Sequence, residues 1–239
     1  MGMPDTAIVL AAGHGRRMQP LSATTPKPLV RVGGRPLIDH CLDGLAAAGI
    51  GTAVVNVHHL ADRIEDHLAS RDTPRILVSD ERNLLLDTGG GVKKALSLTP
   101  AETILLRNSD SFWIEEGRPN LQTLAEAWDG GRMDILLLLA APERAAFYKG
   151  RGDFTMDAAG RLRRRSDEAS PALVYAGAAI LHRLIFGSAP EGAFSLNLLF
   201  DRAIAEKRLF GVEMRGLWIN VETPEAVAAA DRALAATAA

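Results

Sequence analysis

Cysteine is almost missing from the 239 residues: Cys41 stands alone. A single cysteine excludes an internal disulfide and any multi-cysteine zinc site, and it suits a reducing cytoplasm. Charge of one sign is not in excess either. Lys and Arg number 27 against 29 Asp and Glu, a net charge of −2, which gives no general attraction to nucleic acid. No apolar run approaches the roughly 20 residues that cross a bilayer, so no membrane partner is expected. The N-terminus lacks a basic region followed by an apolar core, so no signal peptide is expected. There is no internal repeat and no low-complexity segment beyond an alanine-rich tail. Two nucleotide motifs are also missing. Met18 stands where GxGxxG needs its third glycine, which argues against a dinucleotide fingerprint and so against a dehydrogenase. No GKS or GKT follows, so there is no P-loop.

What is present starts with an ordinary globular composition, 47% hydrophobic and 23% charged, in a chain long enough for a sizeable core. The informative stretch is Ile8 to Val30. Ala7 to Leu10 is short and apolar, as a buried strand is. Gly13 and Gly15 follow at once, then Arg16 and Arg17, and later Lys27 between Pro26 and Pro28. A glycine turn after a strand lets backbone N–H groups approach phosphate oxygens, and a side chain would obstruct them. Arg17 can fork onto two phosphate oxygens, whereas Lys27 is a compact point charge. The two prolines stiffen the backbone from which Lys27 leaves. Ala11, Ala12, Gly13 and Gly15 are therefore candidate nucleotide contacts, and Arg17 and Lys27 candidate catalytic cations.

The rest alternates. Ile38, Cys41, Leu42 and Leu45 mark one helix face, ended by Gly49. Thr52 to Val57 and Arg75 to Val78 read as strands, with the helix stripe Leu60, Ile64 and Leu68 between them. His58 and His59 tempt a metal reading, but sequence neighbours do not face the same way on a helix or strand, so capping or packing is expected of them. Leu84 to Leu96 carries three glycines at a helix start, with Asp87 and Thr88 as candidate caps. Each glycine weakens a helix interior by about 1 kcal/mol against alanine, so something is expected to approach that backbone closely. Asn108-Ser109-Asp110 follows the strand Ile104 to Arg107. Open α/β sheets bind ligands at such carboxyl ends, and a carboxylate there suits Mg²⁺. Leu121, Leu124, Ala125 and Trp128 read as core, and Met133 to Ala140 as a central strand buried on both faces. Phe154 and the turn Asp157 to Gly160 suggest a hairpin. The basic run Arg161, Arg163, Arg164 and Arg165 reads as a solvated strand edge. Leu173 to Ile180 is a further strand. Ser195 and Thr223-Pro224 open two last helices.

The run LAAGHGRRMQPLSATTPKPLV, continuing through GGRPLI, resembles the signature of the sugar-1-phosphate nucleotidyltransferases. Among them it is most similar to the bacterial N-acetylmuramate-1-phosphate uridylyltransferases of cell-wall recycling. The resemblance implies one α/β domain with a Rossmann-like mixed, mainly parallel sheet. Residues to about 140 would bind nucleotide and those from about 141 the sugar phosphate. It implies that Arg17 and Lys27 steady the phosphates. Asp87, Gly89, Gly90 and Asn108 would contact the nucleotide. Asn56, Gly152, Tyr175 and Gly177 would contact the sugar phosphate. Asp110 and Asn220 would hold a catalytic Mg²⁺. The small-molecule substrates would be UTP and a sugar 1-phosphate, in the cytoplasm; the oligomeric state stays open. Two residues depart from the pattern. Ser109 replaces a usual glycine, and Asn220 replaces an aspartate found in many members. Asn220 keeps a carbonyl oxygen without the charge, so metal attraction falls. Three explanations stay open: Asn220 itself ligates, Glu222 substitutes from the same strand face, or metal arrives with the triphosphate. Two rival readings follow: a guanylyltransferase of mannose 1-phosphate or another nucleotide–sugar pair, and a non-catalytic nucleotide-sugar sensor.

Overall fold

The computed structural model describes residues 2–166 and 172–237. β1 (Thr6–Leu10) runs into the first loop, and a small hairpin of β2 (Arg31–Val32) and β3 (Arg35–Pro36) leads to α1 (Leu37–Ala47). The alternation continues through β4 (Thr52–Val57), α2 (Ala61–Leu68), β5 (Arg75–Asp80), α3 (Asp87–Ala95) and β6 (Thr103–Asn108). β7 (Ser111–Ile114) and α4 (Asn120–Ala127) precede β8 (Ile135–Ala140). The short β9 (Ala145–Ala146) comes before a hairpin of β10 (Phe154–Met156) and β11 (Leu162–Arg164). The chain closes with β12 (Val174–His182), α5 (Asn197–Ala205), β13 (Leu209–Glu213), β14 (Leu217–Asn220) and α6 (Pro224–Thr237).

Seven strands form one sheet in the order β13-β8-β12-β6-β1-β4-β5. Only β12 runs antiparallel to its neighbours, so the sheet is mixed and mainly parallel. Period-two alternation loads both faces. Leu136, Leu138 and Ala140 enter one core cluster, while Ile135, Leu137 and Leu139 enter the other. β8 is buried on both faces as its apolar run predicts, although it lies second from an edge, beneath β13, rather than at the centre.

A second sheet, β7-β14-β9, stands over the first loop. Beneath it Met18, Val30, Val32, Phe112, Ile219, Val221, Ala226 and Ala230 form a third cluster. The last helix packs here: Asp231 Oδ1 accepts from Gly33 N at 2.6 Å. The C-terminal segment thus braces the loop nearest the N-terminus. Pro224 occupies the first helical position, and Thr223 Oγ1 accepts from Ala226 N at 3.4 Å. The expected hairpin is closed by Asp157, whose Oδ1 accepts from Ala159 N and Arg161 N at 2.9 Å each. Of the basic run, Arg164 pairs with Asp201 at 2.7 Å and lies over the Phe154 ring. No helix among the described residues is long and apolar enough to cross a membrane.

Candidate active site

β1 is followed in the sheet by β4 on one side and β6 on the other, so the chain reverses its winding there. Leu10 is in register with Asn56 of β4 and with Asn108 of β6. This is the switch point at which an open α/β sheet leaves a crevice beyond its carboxyl ends. Two hollows meet there. One, of about 250 Å³, is lined by Ala11, Ala12 and Gly13 of the first loop, by Leu85, Asp87 and Thr88, and by Asn56, Asn108 and Asp110. The other, of about 370 Å³, is lined by His14, Gly15, Arg16, Arg17 and Glu222. Gly13, Lys27 and Asp110 line both.

Lys27 and Asp110 form the seam. Lys27 Nζ lies 2.7 Å from Asp110 Oδ2, with the lysine side chain only 12% exposed and the carboxylate 32%. Arg17 reaches across the second hollow to Glu222, 2.5 Å away and 205 residues later. Each expected cation therefore rests on a carboxylate. Gly15 sits at φ +61°, and a Cβ there would come within 3.1 Å of Lys27 Cβ. Ser22 Oγ donates to Gly15 O at 2.8 Å and holds the turn. Gly13 has open space where a Cβ would be, so its backbone is free to be approached.

Ser109 shows why the usual glycine is dispensable: its Oγ donates to Leu10 O at 2.7 Å, tying β6 to β1 at the crevice floor. Asp110 is held through its backbone, whose carbonyl accepts from Val221 N at 3.1 Å. Asn220 is in register with Ser111 beside it, while Glu222 lines the phosphate-sized hollow. Oxygen donors of this kind fit Mg²⁺. Among the described residues no three acidic, histidine or cysteine side chains form a metal cluster, so substrate oxygens would have to complete the coordination.

Several expected ligands have other duties. Asn56 lines the first hollow, but its Oδ1 accepts from Ala11 N at 2.6 Å and its Nδ2 donates to Glu81 Oε1 at 2.7 Å. The side chain is thus a bracket for the first loop. Gly89 and Gly90 line neither hollow. Their N–H groups donate to Phe194 O at 2.8 and 3.1 Å, and a Cβ on Gly89 would lie 2.8 Å from that oxygen. The close approach anticipated at the three glycines is therefore made at Gly89 and Gly90 by the chain's own Gly192–Phe194 segment and at Gly91 by Asn56 and Glu81. Asp87 is the first residue of α3 rather than its N-cap, and its Oδ1 accepts from Thr88 N at 2.5 Å. It holds φ +57° in the cavity wall, a left-handed conformation that aspartate tolerates better than most non-glycine residues. Thr88 instead accepts from Leu196 N at 3.0 Å.

Gly152, Tyr175 and Gly177 line neither hollow. Gly177 forms a bulge in β12 at φ +74°, with space for a Cβ taken by Ser111 Oγ. Its carbonyl accepts from Arg107 Nη1 at 3.0 Å, and Arg107 Nη2 donates to Ser111 O at 3.1 Å. The buried guanidinium so clamps the bulge to the Asp110 turn. Burial pushes the Tyr175 phenol's pKa up, and among the described residues its Oη has no partner. Gly152 N donates to Tyr148 Oη at 3.2 Å. Sequence reasoning missed Glu81. It is 1% exposed, accepts from Asn56 and, at 3.0 Å, from Leu86 N, and so joins the two loops that border the nucleoside-sized hollow. An acid beside Asp80 in a polar stretch carries no local signal of that role. His58 and His59 each place one ring nitrogen on a backbone carbonyl, of Glu81 and Ser22.

A protein that moves a nucleotidyl group needs a divided crevice of this kind, with room for a nucleoside, room for phosphates and cations where the two meet. Fold and site together define a nucleotidyltransferase. The chain belongs to the MobA-like NTP transferase domain family, whose sequence profile matches residues 7–187, and with it to the sugar-1-phosphate nucleotidyltransferases. It is 44% identical to the N-acetylmuramate alpha-1-phosphate uridylyltransferase of Caulobacter vibrioides over 97% of this chain and 98% of that one. To the enzyme of the same name from Neisseria meningitidis serogroup B it is 30% identical, over 91% and 93%. The fold matches the solved inositol-1-phosphate CTP transferase of T. maritima with a TM-score of 0.76 at 18% identity, over 94% of this chain and 92% of that one.

Proposed function

We propose that the chain joins UTP to N-acetylmuramate α-1-phosphate, giving UDP-N-acetylmuramate and pyrophosphate, in cytoplasmic cell-wall recycling with Mg²⁺ bound at Asp110 and Asn220. Near-full-length similarity to two uridylyltransferases of that name supports the substrates. The observation that carries the chemistry is the Lys27–Asp110 pair at the seam of the two hollows.

A sugar-phosphate oxygen attacks the α-phosphorus of UTP, and the bond to the bridging oxygen breaks as pyrophosphate leaves. The attacking group is already an anion, so no protein nucleophile is needed. Catalysis consists of positioning and charge neutralisation. Mg²⁺, which Asp110 and Asn220 would hold, would offset phosphate charge. Lys27 is nearly buried, so its charge acts on the transferring phosphoryl group with little competition from water. Arg17 is 70% exposed and exchanges Glu222 for the departing pyrophosphate. The amides about Gly13 cradle the triphosphate, while Asp87 and Thr88 border the uridine.

Pyrophosphate release across four nucleoside triphosphates and several sugar 1-phosphates tests the reading, with and without EDTA. Turnover is expected with UTP and N-acetylmuramate 1-phosphate, and none after chelation. Preference for GTP with mannose 1-phosphate would overturn the substrate assignment. Binding without turnover in every pair would favour the sensor.

A further inference from the structure

Three imidazoles gather at the phosphate-sized hollow. His14 lines it together with Arg17 and Lys27. Its ring lies edge-on to His58 with centroids 5.1 Å apart, and 5.7 Å from His59. The last two are fixed from behind. His58 Nδ1 is 2.7 Å from Glu81 O, and His59 Nε2 is 3.0 Å from Ser22 O. A carbonyl can only accept, so these two nitrogens carry protons and donate to it. His14 rests on this pair at the rim of the hollow.

The charges facing His14 come from every side of the hollow. Arg16 and Arg17 belong to its own loop, and His58 and His59 to the connection after β4. Lys27 and Asp110 stand at the seam, and Glu222 follows β14. Both carboxylates are already paired, Asp110 with Lys27 and Glu222 with Arg17. The remaining field at His14 is positive. Burial first, and then His58, Arg16 and His59, hold its pKa below the ordinary histidine value, so it is neutral at pH 7 when the hollow holds no anion. A bound triphosphate brings about four negative charges and reverses that field, favouring the imidazolium.

We propose that His14 is a proton-coupled contact for the triphosphate, neutral in the free protein and an imidazolium in the nucleotide complex. One solvent proton moves onto the free ring nitrogen as the nucleotide binds, and the new cation donates to a phosphate oxygen. The consequence is a binding affinity that strengthens as pH falls, from a residue that never has to add a fourth stable positive charge to Arg16, Arg17 and Lys27 in the empty protein. The inference rests on the nucleotide reading given above.

Calorimetric titration of UTP with Mg²⁺ into the full chain at pH 7.5 tests it, run in PIPES and in Tris, buffers of very different ionisation enthalpy that bring no phosphate to the hollow. The terminal phosphate of UTP titrates in this range, so the readout is the difference between the parent and His14→Asn. The parent is expected to take up more protons per UTP than His14→Asn, by up to about one. His14→Lys, with a permanent cation, should bind UTP with the parent's affinity or better but without the extra uptake. Heat of binding with the same buffer dependence in parent and His14→Asn would overturn the role of His14 and leave the nucleotide reading intact. Absence of binding heat with any of four triphosphates would overturn the nucleotide reading itself.

Discussion

Replacing Glu81 by glutamine isolates the bracket that holds the two loops together. The carboxylate accepts from Asn56 Nδ2 at 2.7 Å and from Leu86 N at 3.0 Å in a site 1% exposed. Asn56 in turn accepts from Ala11 N at 2.6 Å. Every donor in this chain points toward Glu81, and glutamine offers one acceptor where two are needed. Its amide must face either Asn56 or Leu86 donor to donor. A buried hydrogen bond to a charged group contributes about 1.5–3 kcal/mol, and a stranded donor costs about 1–3 kcal/mol. Glu81→Gln is therefore expected to destabilise the chain by about 2–4 kcal/mol in urea unfolding. For a chain of this size that lowers Tm by roughly 5–15 °C, which leaves a folded protein within the usual stability of about 5–15 kcal/mol. The loops it releases border the nucleoside hollow, so KM for the nucleotide should rise more than kcat falls. Gly91→Ala probes the same bracket independently, since its Cβ would lie 2.7 Å from Asn56 Nδ2 and 2.8 Å from Glu81 Oε1. Unfolding of Glu81→Gln within about 0.5 kcal/mol of the parent, with KM unmoved, would refute the reasoning.

Lys27→Met should lower kcat by about 10²–10³-fold, because the cation acts where phosphoryl charge develops; its unfolding transition should stay near the parent's, since the abandoned Asp110 is 32% exposed and can hydrate. Activity above a tenth of the parent's would contradict the assigned role. Gly89→Ala places a methyl against Phe194 and should cost about 1–3 kcal/mol by overpacking, read as a lowered Tm, whereas a ligand-only role for that glycine predicts an unchanged Tm. Asp157 has its pKa lowered by the backbone N–H groups of Arg161 and Ala159. A depressed carboxylate adds stability above its unfolded pKa and loses it as pH falls through the folded value, so Asp157→Ala should reduce Tm at pH 7 and converge with the parent once the pH falls below the lowered pKa of the folded carboxyl.

The elements that sequence spacing made legible are those whose causes lie within a few residues. The unbroken apolar run Ile135–Ala140 prescribes a strand with two buried faces, and Pro224 after Thr223 prescribes a helix start, because neighbours one to four positions apart set both. The glycine turn, Arg17, Lys27 and an acid after a parallel strand were readable for the same reason: anion handling needs bare amides and cations close along the chain. What local spacing could not decide is pairing between distant segments. That includes the antiparallel placement of β12, the docking of α6 beneath the first loop, and Arg17 on Glu222, 205 residues apart. It also includes the contacts by which Asn56 and Glu81 brace loops and the N–H groups of Gly89 and Gly90 meet Phe194 O. A buried carboxylate in a polar stretch and a glycine packed on a remote backbone look the same in sequence as a solvated acid and a flexible turn. Only the tertiary structure brings up the partner that separates them, because hydrogen bonds and steric contacts depend on distance in space.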